Sequence, residues 1–140
     1  MNETGRVVYW NGEFVAEIDA RVSIYDSALM FGDMVFEMTR SFKGVQFRLR
    51  DHLERLFDGL RVLAIDVPMT IDEVETACHA TVDANAPTMR PDDEHRLMID
   101  VTRGLLGIVV RDDNGKREAI ARFKSSEYAE QLPEHIGPFV

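Results

Sequence analysis

Arginines placed among aromatic residues are the side chains here whose type and spacing could do chemistry. Arg40 follows Phe36 by four positions, Arg48, Arg50 and Arg55 surround the start of a Leu-rich run, and Arg96 and Arg103 fall in a β-rich stretch. A planar guanidinium can grip a carboxylate or a phosphate through two parallel N–H donors, so anion binding is the chemistry this set allows. Arg55 reads as lying in the first turns of a helix opened by Asp51, where free N–H groups and the helix dipole already favour an anion. The competing reading pairs Arg55 with Asp51 or Asp58 along the same helix. His52 is more often a satisfied surface or core residue than a catalyst. Glu37 is a lone acid that can stand exposed and inert, with no second acid or base beside it. Arg96 and Arg103 could simply charge the rims of one strand; seven positions apart, they fall on opposite faces of a regular strand. Spacing alone reaches an anion site and no further.

Other chemistries lack their signatures. The chain has no GxGxxG, GxxxxGK[ST], CxxC, HExxH or GxSxG pattern, and His52, His79, His95 and His135 are too scattered to predict a metal site. Twenty-five Asp and Glu against sixteen Lys and Arg give a net charge of −9 with no basic stripe, which disfavours a nucleic-acid partner. No apolar run is long enough to cross a bilayer. The first residues carry no signal-peptide pattern and the single cysteine, Cys78, has no intramolecular partner, so a cytoplasmic location is expected.

The elements that must position these arginines follow from periodicity. Asn11-Gly12 joins "RVVYW" to "EFVAEI" as a hairpin, "ARVSIYD" reads as a third strand, and Lys43-Gly44 joins "MVFEMTRSF" to "VQFRL" as a second hairpin. Gly32 is expected to allow a backbone angle that other residues resist. Val35, Glu37, Thr39 and Ser41 point to one side of that arm, and Met34, Phe36, Met38, Arg40 and Phe42 to the other. Asp51 with Glu54, and Thr70 with Glu73, read as capping boxes. They open one helix with Leu53, Leu56, Phe57, Leu60 and Leu63 inward and another with Ile71, Val74, Cys78 and Val82 inward, the second stopped by Pro87 and Pro91. "HRLMIDVTRG", "LLGIVV" and "EAIARF" read as further strands, with an Asn-Gly turn in "RDDNGKR". Strands, two helices, then strands predict an α+β fold with one core: a largely antiparallel sheet with two helices packed on one face. The closing "SSEYAEQLPEHIGPFV" has no helical period. It either packs back on the sheet or begins a linker, and the expectation is a domain over 1–124 followed at 125–140 by the start of a linker or of a second domain.

"VYWNGEFV", "FGDMVFEMTR", "FRLRDHLERL" and "HRLMIDVTRG", in this order, resemble the N-terminal domain of fold-type IV pyridoxal 5'-phosphate (PLP)-dependent enzymes: branched-chain aminotransferases, D-amino-acid aminotransferases and aminodeoxychorismate lyases. The resemblance covers roughly residues 6 to 104. It implies the D-amino-acid aminotransferase-like fold, PLP as cofactor, amino-acid and 2-oxo-acid substrates, and a homodimer. It implies that Arg55 of "HLERL" binds the cofactor phosphate, and that Phe31, Phe36, Arg40, Arg96 and Arg103 line the substrate pocket. Converting Arg55 to Ala is then expected to weaken PLP retention far more than it lowers thermal stability. Met38 stands where the family has a glycine, and Phe31 where it often has tyrosine. Arg96 matches the branched-chain pattern and the "VTRG" string the D-amino-acid one, so the substrate's stereochemistry stays open. The family's Schiff-base lysine lies in a second domain, and no residue here matches it. Lys124 follows Arg103 too closely and reads as a strand end. No catalytic residue is therefore assigned within these 140. The alternatives are lyase chemistry on aminodeoxychorismate, or a non-catalytic binding or dimerisation module.

Overall fold

The computed structural model describes residues 5–90, 92–105, 109–111 and 117–119. The fold is α+β, and its ladders β1–β2, β3–β4 and β6–β7 run antiparallel. Two compact units are present, Met1–Val22 with Met34–Val101 and Ser23–Asp33 with Thr102–Val140. Among the described residues the strands fall into three small sheets, β1-β2, β4-β3-β5 and β6-β7.

In the larger unit, β1 (Val7–Trp10) and β2 (Glu13–Ala16) make the first hairpin. Its turn residues Asn11 and Gly12 both adopt positive φ, 50° and 101°, which a two-residue hairpin turn matched to strand twist requires. Lys43 and Gly44 do the same between β3 (Met34–Phe42) and β4 (Val45–Gln46). The second arm is only two residues long, because Arg48 turns left-handed and α2 (Leu49–Leu63) begins directly after it. Asp51 is thus not the cap of α2 but its third residue, ion-paired to Arg48. The Thr70–Glu73 capping box at the head of α3 (Ile71–Asn85) is present in full, with Thr70 Oγ1 accepting from Glu73 N and the Glu73 carboxylate accepting from Thr70 N. Pro87 follows in a 3₁₀ turn, and Pro91 lies outside the described residues.

The core is built by α2. Leu49, Leu53, Leu56 and Leu60 are buried, and Leu63, expected inward, is 39% exposed. Val35 of β3 and Leu97, Ile99 and Val101 of β5 (Arg96–Thr102) pack against this stripe, and α3 adds Ile71, Val74 and buried Cys78. β5 is the third strand of the β4-β3-β5 sheet. Gly59 sits where α2 crosses β3: a Cβ there would lie 2.9 Å from Val35 Cγ1, so only glycine admits the approach. At the far end of α3, the Asn85 side chain accepts from Val7 N and donates to Val7 O, tying β1 to the helix.

The residues expected to form a third strand, Ala20–Asp26, begin in the larger unit and end in the smaller one; 20–25 are irregular and Asp26 makes an isolated antiparallel bridge with Leu105. They lead into a short helix, α1 (Ser27–Phe31), whose N-cap Asp26 accepts from Ala28 N. Asp26 competes for its own chain's N–H groups, which favours a cap over strand pairing. Gly32 closes α1 at φ 68°, the left-handed conformation expected of it. β6 (Val109–Arg111) and β7 (Arg117–Ala119) match parts of "LLGIVV" and "EAIARF". The Asn-Gly turn between them, Lys124 and the expected linker at 125–140 lie outside the described residues.

Candidate functional site

β3 alternates as expected, but its buried side is the polar one. Glu37, Thr39 and Ser41 are buried, whereas Phe36, Met38, Arg40 and Phe42 are exposed. Thr39 donates to Phe47 O, and Ser41 donates to Glu94 and accepts from His95 N, so both serve the backbone around the hairpin. Glu37 serves side chains instead. Only 4% exposed, it meets Arg55 and His52 on α2, whose spacing of three puts them on one helix face. Arg55 donates from Nε to Glu37 Oε1 at 2.5 Å and from Nη2 to Oε2 at 2.6 Å; His52 Nδ1 donates to Oε2 at 2.8 Å. The expectation that Glu37 stands exposed and inert does not hold, and Arg55 pairs with neither Asp51 nor Asp58. Those two carboxylates pair with Arg48 and Arg61.

Arg55 is the seventh residue of α2, past the four free N–H groups of the first turn. Its anion-binding capacity therefore comes from its guanidinium and not from the helix terminus. The side chain is 72% exposed. Two of five guanidinium N–H donors are taken by Glu37, which leaves both on Nη1 and one on Nη2. That remaining fork suits a phosphate group, so the residues present fit the phosphate end of PLP. Arg48 and Arg50 fit less well, because each already holds carboxylates: Asp51 for Arg48, and Asp72 at 2.5 Å with Glu75 at 2.9 Å for Arg50.

The Arg55 guanidinium holds the Glu37 carboxyl below its ordinary value of 4.5, against the upward push of burial and with further help from His52. Glu37 in turn pushes Arg55 up. Because the folded value is depressed, this contribution to stability is present above pH 4.5 and is lost as pH falls through the folded value. The Glu37→Gln variant should accordingly show a flatter fall of its urea midpoint below that pH than the parent does; parallel acid arms would remove Glu37 from the account. Removing Arg55 leaves the buried Glu37 carboxylate with His52 as its described partner, so thermal stability should fall along with any loss of ligand.

On the opposite face of the β4-β3-β5 sheet, Phe36, Met38 and Arg40 of β3 stand exposed, as do Arg96 and Met98 of β5. Alternation puts Arg40 and Arg96 on this one face, away from α2, with the Arg40 guanidinium carbon 4.7 Å from the centroid of the Phe42 ring. The structure thus groups Phe36, Arg40 and Arg96 and sets Arg55 on the other side of β3. Arg103 lies past the end of β5, in the smaller unit, and so occupies neither face of that strand. It donates from Nε and Nη2 to the two oxygens of Asp33, the second at 3.0 Å. Phe31, at the end of α1, is exposed. A groove of about 530 Å3 lined by Tyr9, Met69, Asp72, Glu73 and Thr76 contains none of these residues and offers an anion two carboxylates and no cation. Among the described residues no group of three or more His, Cys, Asp or Glu could hold a metal ion.

The Glu37–His52–Arg55 cluster was not read from sequence. The signal available was an acid on the polar side of β3 and two basic residues three apart on the facing helix.

A family model described as amino-transferase class IV matches residues 34–136. A putative branched-chain-amino-acid aminotransferase of Methanocaldococcus jannaschii is 48% identical over 67 residues, covering 48% of this chain and 23% of that protein. The crystal structure of the Escherichia coli branched-chain amino acid aminotransferase superposes with a TM-score of 0.66 at 30% identity, covering 73% of this chain and 33% of the other. A branched-chain amino acid aminotransferase from T.th., solved with pyridoxamine 5'-phosphate, gives a TM-score of 0.55 at 30% identity, over 58% and 28% of the two chains. The chain spans about a quarter or less of the length of the curated relatives it matches. With the family match running from β3 through α2 and β5 and on to residue 136, the chain belongs to the class IV aminotransferases.

Proposed function

We propose that these residues form the phosphate-anchoring and substrate-facing part of a PLP-dependent aminotransferase, which moves an amino group between an amino acid, branched-chain or similar, and a 2-oxo acid. The observation that carries this reading is Arg55, held side-on by buried Glu37 with the rest of its guanidinium exposed, in a chain of this family. The solved relative with pyridoxamine 5'-phosphate supports the choice of cofactor.

PLP, when bound, supplies an electron sink for the pair left on Cα when an amino acid loses its proton. The chain's own residues bind and orient. Arg55 Nη1 and Nη2 hold the phosphate. Phe36 and Met38 offer apolar surface that excludes water, and Arg40 and Arg96 supply positive charge for a substrate carboxylate on the same sheet face. Phe31 and Arg103 join the substrate region by resemblance. The reading includes a homodimer, a cytoplasmic location, and a domain over 1–124 joined by a linker at 125–140 to a second domain that carries the cofactor lysine.

The test is the intact mass of the full-length protein after PLP and borohydride, with amino transfer to a 2-oxo acid measured in parallel. One reduced cofactor adduct and acceptor-dependent transfer are expected. Pyruvate release from aminodeoxychorismate without a 2-oxo acid would replace transfer with lyase chemistry, and absence of any adduct would leave a non-catalytic module.

A further inference from the structure

We propose that Glu37, steadied by His52, is the positioning residue that aims the Arg55 guanidinium at the phosphate of the cofactor; this rests on the reading of Arg55 just given. Glu37 has the geometry of an orienting group. Its carboxylate is buried, which is unfavourable unless it is paired and hydrogen-bonded, and every bond described for it goes to Arg55 or His52. Thr39 and Ser41, on the same buried side, instead hold backbone and the Glu94 latch that also accepts from Lys43 N at 2.6 Å. An exposed arginine on a helix ordinarily samples many rotamers, and fixing it at the moment of binding costs affinity. Here the side chain bypasses the carboxylates one turn away on its own helix and reaches across to β3, where two parallel bonds set the plane of the fork. His52 meets Oε2 from the same helix face and so limits rotation of the carboxylate.

Charge and orientation make opposite forecasts, which makes the proposal sharp. Glu37 is negative and adjacent to Arg55, so by Coulomb's law alone its neutralisation should strengthen the binding of a phosphate dianion. As an orienting group, its neutralisation should weaken that binding. The ligand pair that isolates the phosphate is PLP and pyridoxal, which differ only in that group.

Dissociation constants for both ligands would be measured on the full-length protein as parent, Glu37→Gln, His52→Ala, Arg55→Ala and the Glu37→Gln/Arg55→Ala double variant. Glu37→Gln should weaken PLP roughly tenfold, about one charge-assisted hydrogen bond, and leave pyridoxal within about twofold. His52→Ala should show a smaller loss, also confined to PLP, and serves if Glu37→Gln folds poorly. In the Arg55→Ala background the Glu37→Gln substitution should make no further difference. Tighter or unchanged PLP binding by Glu37→Gln and His52→Ala, or equal losses for PLP and pyridoxal, would overturn the positioning role while leaving Arg55 as the anchor. If Arg55→Ala itself binds PLP and pyridoxal as the parent does, the anchoring role falls and this one with it.

Discussion

Leu53→Ala is expected to lower the stability of the larger unit by about 3–5 kcal/mol, read as a lower urea midpoint with an unchanged slope. Leu53 is fully buried and central to the α2 stripe, with Leu49 and Leu56 on either side of it. The cost has two parts: the removed methyl groups lose their transfer free energy, and the space they leave is bounded by a helix and a sheet that cannot collapse independently. The approach at Gly59, where a Cβ would already overlap Val35, shows how little freedom α2 and β3 have to move together. Domains are typically stable by only about 5–15 kcal/mol, so this single change removes a large share and should lower the melting temperature by more than ~10 °C. Val62, 84% exposed on the other side of the same helix, is the control. Val62→Ala should stay within about 0.5 kcal/mol of the parent, and similar losses for the two variants would refute this picture of the core.

What could be read from sequence divides along local and tertiary lines. Thr70 and Glu73 satisfy each other across one turn, and Asn11-Gly12 and Lys43-Gly44 adopt the positive φ their turns require, so these features were legible from a few adjacent residues. The start of α2 was not. A left-handed Arg48 begins the helix without a side-chain cap, and Asp51, a good cap by type, is inside it. Alternation in β3 separated the two faces correctly but could not say which one is covered. The apolar face invites burial on composition alone, yet α2 covers the other one, where Val35 packs on the leucine stripe and Glu37 meets Arg55 and His52. That outcome depends on where another element docks, and it is why the cluster behind Arg55 escaped the sequence while Arg55 itself was found through a four-motif resemblance. Ala20–Asp26 reads as strand by residue type, but it ends on Asp26, which caps α1 and also accepts from Thr102 Oγ1.

Arg103→Ala is expected to lower stability by about 2–3 kcal/mol, much more than Arg40→Ala or Arg96→Ala on the open sheet face. Arg103 and Asp33 are each roughly four-fifths buried, and the guanidinium faces both carboxylate oxygens; Arg103 N also donates to Asp33 O. Truncating the arginine takes its cation from a carboxylate that is about four-fifths buried, a loss that exceeds what the pair contributes over two well-packed apolar groups. Its position adds a second effect. Asp33 follows directly on Gly32, the residue that closes α1, so the pair anchors the end of the helix that carries Phe31. If Arg103 serves the proposed substrate region through that anchor, Arg103→Lys, which keeps the charge but loses the planar fork, should recover part of the stability and disturb all substrates alike. Arg40→Ala and Arg96→Ala, whose side chains stand exposed on the sheet face, should instead change the relative preference among substrate carboxylates with little change in melting temperature. Should Arg103→Ala melt with the parent and alter only selectivity, the anchor is refuted and Arg103 meets substrate directly.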